Sequence, residues 1–180
     1  MDRGTDFLKS QINNAVMQHQ TFLENLQDHE TQAEDARFRD LCSRYIPVMR
    51  EHQRMLETYQ QSIGAELGTG KKAIGKALGV ARDLADAARE SDFLRLVGDI
   101  VTARQSQDTF GTFREAGRQL GIQSLQQLGE VGERHHEEYV RDANRLVAQL
   151  FVEHASGVEG AANIGATRSA EATRSPGTSM

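Results

Sequence analysis

Histidines stand where apolar residues belong. His19 falls between Ala15, Val16 and Phe22 at helical spacing, His52 between Val48 and Met55, and His136 between Gly132 and Val140. Glu133 lies one turn before His136, His29 lies just past Leu26, and Ser106 and Gln107 interrupt a stripe between Ala103 and Phe110. A polar group inside an apolar stripe costs free energy unless it is hydrogen-bonded or coordinates a metal. Imidazole does either. Glu133 and His136 form a Glu-x-x-His step, the spacing that di-iron carboxylate bundles use on two of their helices. There the carboxylates balance and bridge the ions, and the imidazoles complete the shell. Glu51 beside His52 points about 100° away around a helix and cannot share its face. Met49, three residues before His52, cannot replace a bridging carboxylate. His135, Glu137 and Glu138 read as a solvated face.

Other chemistries find little support. Cys42 is the one cysteine, which excludes an internal disulfide framework and a zinc ribbon. The stretch from Gly68 to Lys72 imitates a phosphate loop, but Ala65 occupies the first glycine position and Lys72 replaces Ser or Thr. A net charge of −5 with no basic stripe argues against nucleic acid. No run of 18 apolar residues could span a membrane, and the N-terminus lacks the apolar segment of a secretory signal. A cytoplasmic location is the expectation.

The elements that must carry the histidines are helices. Hydrophobic residues make up 38% of 180 residues, there is no Trp, and Pro47 and Pro176 are the two prolines. A first helix runs from Thr5 to about His29. A capping box of Thr31 and Glu34 opens a second, which reaches about Ile63 with a kink expected near Pro47. Glycines and lysines from Gly64 to Gly79 mark a crossover with a short helix over roughly 71–90; its basic stretch Lys71 to Arg82 is expected to pack over the bundle end. Ser91 caps a third helix that ends at Gly121, and a fourth runs from Gln123 to Ala155. The fold class is therefore all-α: a four-helix bundle over residues 1–156 with one long connection, the ferritin-like variant. Residues 157–180, rich in Gly, Ala, Ser and Thr, read as a disordered tail. Gly98, Gly111, Gly117, Gly129 and Gly132 inside the last two helices point to close helix approach, within the bundle or across the interface of a homodimer.

The stretch from Asp108 to Val147 resembles the YciE/YciF-type ferritin-like proteins, bacterial stress-associated bundles that usually form dimers. The Phe110-Gly111-Thr112 step, the Gln119-Leu120-Gly121 turn and Leu128 carry the likeness, which extends loosely over residues 5–155. The segment Glu51 to Glu57 resembles the surroundings of that family's second-helix metal histidine, which maps to His52. The resemblance places the first-helix Glu on His19, the second-helix Glu on Met49 and the third-helix Glu near Ser106. The acidic cluster of the fourth helix falls on His135 and His136, with Glu133 nearby. Most carboxylates are thus replaced, and His19, His52, Glu133 and His136 are left as metal candidates. That set suits one zinc, copper or iron ion, or a polar core layer with no metal. Three functions follow as expectations. The first is a bundle of stress-response or structural role with a degenerate di-metal site. The second is an iron- or zinc-binding protein with ferroxidase-like activity. The third is a cargo or adaptor module whose tail, residues 157–180, docks a protein partner through the Ala-Thr-Arg-Ser steps at 166–169 and 172–175.

Overall fold

A computed structural model describes residues 3–65 and 91–156. Four helices account for nearly all of them: α1 (Arg3–Gln32), α2 (Ala36–Ser62), α3 (Asp92–Leu120) and α4 (Gln123–Ser156), with no strand among the described residues. Each carries an apolar stripe at 3.6-residue spacing, and together the stripes enclose two core clusters. At one end Phe22, Leu26, Phe38, Leu41, Leu96 and Tyr139 interlock; at the other, Ile12, Leu56, Phe110 and Leu125.

The helix ends are chemically marked. Ser91 caps α3 by accepting the Leu94 N–H, and Gly121 ends it in the left-handed region at φ 69°. The start of α2 differs from the capping box read at Thr31 and Glu34. Helix α1 runs on to Gln32, and the Thr31 hydroxyl bonds back to the Asp28 carbonyl. Asp35 is the cap instead, its carboxylate accepting the Arg37 and Phe38 N–H groups. Its own N–H donates to Asp92 Oδ2 at 2.6 Å, a contact between chain segments that no local pattern announces. Pro47 lies inside α2, which continues through it.

Contacts across the bundle fix helix directions. Arg37 pairs with Glu153, and the Tyr45 hydroxyl donates to Asp142 Oδ2 at 2.9 Å, so α2 and α4 are antiparallel neighbours. His29 meets Asp99, which sets α1 antiparallel to α3. The bond from Asp35 to Asp92 puts the starts of α2 and α3 at the same end, so these two run in the same direction. Four glycines serve the packing within the chain. A Cβ on Gly129 would lie 2.2 Å from the Arg114 nitrogen, and one on Gly117 2.3 Å from that of Gln126. Gly111 and Gly132 likewise face Glu133 and His52, whereas a Cβ on Gly98 would meet nothing within 4 Å. The expected crossover helix (71–90) and the tail (157–180) lie outside the described residues.

Candidate functional site

His19 from α1, His52 from α2 and His136 from α4 come together in the core, each 0% exposed. Their ring centres are 5.0 Å apart for His19 and His52, 5.2 Å for His19 and His136, and 5.9 Å for His52 and His136. Phe110 of α3 closes one side, 4.4 Å from His52 and 5.2 Å from His136, and Phe22 lies 5.6 Å from His136. Gly132 makes the room: a Cβ there would sit 2.6 Å from the His52 ring.

Two of the rings are held in one tautomer. The Gln53 amide nitrogen donates to Glu57 Oε1 at 2.8 Å, which turns Gln53 Oε1 toward His19. That oxygen can only accept, so His19 Nδ1 carries the proton and donates across 2.8 Å. His136 Nδ1 donates to the Gly132 carbonyl at 2.7 Å for the same reason. Nε2 of each ring is therefore a bare lone pair. Neither these two atoms nor either nitrogen of His52 has a hydrogen-bond partner. Four unpartnered nitrogens in one buried cluster are far from the usual satisfaction of buried polar groups.

Burial keeps all three imidazoles neutral. Desolvation pushes His19 down to about 4 against the opposing Gln53 bond. It pushes His136 down to about 3 and His52 to about 2, with the neighbouring imidazoles adding to the effect.

The fourth candidate ligand goes elsewhere. Glu133 is partly exposed and its carboxylate pairs with Arg114 of α3, over Gly111, in a surface groove of about 630 Å³ that Asp108, Glu115 and Gln119 also line. His135 departs from the solvated face assigned to it. It is half-buried, its Nδ1 is shielded and unpartnered, and its ring centre lies 6.4 Å from that of His52 across the seam between α2 and α4. Desolvation lowers its pKa as well. Ser106 is buried at 2% exposure with an unpartnered hydroxyl, one turn before Phe110.

A second buried polar group lies toward the end of the bundle where α3 begins. Asp99 is 1% exposed; it accepts from His29 Nδ1 at 2.8 Å and from the Tyr139 hydroxyl at 3.4 Å. Burial raises the Asp99 carboxyl, and the His29 bond opposes the rise. Asp99 and Gln53 went unremarked in the sequence although the signal was there. Asp99 stands three after Leu96 and four before Ala103, and Gln53 four after Met49 and three before Leu56, both in register with the buried stripe.

The donor set suits a transition metal better in spacing than in aim. With metal–nitrogen bonds of about 2.0–2.1 Å, three imidazoles on one tetrahedral ion hold their ring centres about 5 Å apart, close to the separations here. Ligating histidines also donate their second N–H to an oxygen, as His19 and His136 do. Yet among the described residues no group of three or more His, Cys, Asp or Glu side chains is disposed, as it stands, to hold a metal ion. His52 is the one ring of the three tied by no hydrogen bond.

No family model, curated protein or solved structure matches the chain. Among the described residues no helix is long and apolar enough to cross a membrane.

Proposed function

We propose that the chain is a ferritin-like bundle whose di-metal site has given way to a single-ion site, with His19, His52 and His136 binding one first-row transition metal. The orphaned lone pairs carry this reading. Buried nitrogens without partners are costly, and one metal ion bound by Nε2 of His19 and of His136 and by one nitrogen of His52 would satisfy three of the four. The shared direction of α2 and α3 supports the ferritin-like part, because that arrangement needs a connection as long as the bundle. Two-iron ferroxidase chemistry is disfavoured. It calls for bridging carboxylates, and the positions expected to supply them hold His19, Met49 and Ser106.

The test is elemental analysis after exposing the protein separately to zinc, ferrous iron and copper, together with melting curves. One ion per chain is expected, with a rise in Tm; free metal at 100 times Kd adds about 2.7 kcal/mol of stability. No bound metal and no shift would discard the site. One observation favours a second reading, in which the bundle serves a structural or stress-response role and the imidazole layer sets helix register. His19 and His136 already have hydrogen bonds, and the nitrogens do not converge on one point. A metal-free protein with unchanged Tm is the outcome that reading expects.

A further inference from the structure

Among the described residues nothing covers the outer side of α3. Its inward stripe is Leu96, Ile100, Ala103 and Phe110, and its neighbours are α1, at His29, and α4, at Gly129. Over its first turns the helix is apolar on the opposite side too. Leu94, Val97 and Val101 follow at steps of three and four, with Leu94 38% and Val101 47% exposed. A helix that is apolar all round belongs inside a protein. Further along, the same side turns acidic at Asp108 and Glu115, which line the groove of about 630 Å³. Asp108 has no ion-pair partner among the described residues.

The length of the connection says what reaches this side. Because α2 and α3 share a direction, Ala65 and Ser91 stand at opposite ends of the bundle. Helix α2 has 27 residues, a length of about 40 Å at 1.5 Å per residue. The connection, residues 66–90, has therefore to travel back the length of the bundle, along its side rather than across one end. It rejoins the described chain at Ser91, two residues before Phe93 and at the start of the apolar side of α3. Its sequence matches that side in both halves. Counting equally from Ser91, Ala88 stands level with Leu94 and Ala81 with Val101, in a run that also holds Leu84 and Ala85. Lys76 and Lys72 stand level with Ser106 and Phe110, on either side of Asp108.

We propose that residues 71–90 dock along the outer side of α3, with the aliphatic run on Leu94, Val97 and Val101 and the lysines beside Asp108. Length, point of return and charge all favour this segment over a second copy, and the covalent link at Ser91 holds it at high local concentration. The docking draws on none of His19, His52 and His136, so it stands whether or not a metal binds.

Cysteine pairs in the full chain test it, because a disulfide forms only where Cα atoms come within about 7 Å. Val101→Cys is combined in turn with Ala77→Cys, Ala81→Cys and Ala85→Cys and oxidised with copper phenanthroline; Cys42, 0% exposed, stays out of reach. A bond within one chain is expected, fastest with Ala81→Cys, and at most a trace when the exposed Arg50→Cys of α2 replaces Val101→Cys. No intrachain bond in any pair, or equal rates with Arg50→Cys, would overturn the docking. A bond between chains through the Val101→Cys position alone would also overturn it, giving the face to a second copy. Limited trypsin digestion is the second measure, since the segment offers cuts after Lys71, Lys72, Lys76, Arg82 and Arg89. Val101→Asp is expected to speed those cuts about tenfold or more, as cleavage tracks the open population. Met17→Asp, an exposed apolar position on α1, is expected to leave them at the wild-type rate. Equal cutting in the wild type and Val101→Asp would count against the docking.

Discussion

His52 occupies a core position with two buried nitrogens and no partner for either, an arrangement that costs stability in the metal-free protein. A leucine there removes both orphans at similar size. His52→Leu is expected to make the apoprotein more stable by about 1–2 kcal/mol in urea titrations, and to abolish the metal-dependent rise in Tm. A large loss of apo stability would show that His52 is satisfied after all. The same group of residues sets a pH dependence. In the unfolded chain the imidazoles protonate near pH 6.5, whereas the folded core holds His19 neutral to about 4 and His136 to about 3. Between those values the unfolded state binds more protons, so stability is complete above about pH 6.5 and falls as pH drops. Urea midpoints measured from pH 7.5 to 4.5 are expected to decline, and His52→Leu to shallow the slope. Asp99, raised by burial, acts in the opposite sense. Its replacement discriminates its role. Asp99→Asn retains an acceptor for His29 and Tyr139, while Asp99→Leu orphans the buried Tyr139 hydroxyl and is expected to cost about 1–3 kcal/mol. At this scale the histidine trio was legible because each ring breaks a helical stripe. The metal geometry was not, because the direction of a ring nitrogen depends on Gln53 and on the Gly132 carbonyl.

Helices α3 and α4 approach until backbone meets backbone, and their glycines divide into those that permit this and one that does not matter to it. Gly129→Ala drives a methyl group into the backbone of Phe110 and Arg114, neither of which can step aside. It is expected to destabilise by about 3 kcal/mol. Gly98→Ala meets nothing, and relief of glycine's helix penalty is expected to stabilise by up to about 1 kcal/mol. Thermal or denaturant melts of the pair decide the matter, and similar effects from both would contradict the close packing described for α3 and α4. The four described helices were readable from apolar spacing, as were the Ser91 cap and the Gly121 terminus. The start of α2 was not, because α1 runs on through Thr31 to Gln32 and the Asp35 carboxylate takes the cap instead.

The whole molecule ties its parts unevenly. The trio draws on α1, α2 and α4, while α3 contributes the Phe110 wall and the buried Asp99. The glycines that suggested dimerisation mostly face other residues of the same chain, and Phe151 and Val152 are 61% and 64% exposed. Light scattering is expected to give twice the chain mass, and a monomer would remove the homodimer. Chain order has a further result. His19 and His52 emerge early from the ribosome as parts of a hairpin that can close on itself, but His136 is synthesised 84 residues after His52. A nascent chain holding two imidazoles is a poor trap for metal. Any ion held by all three can therefore be acquired only once translation has passed His136.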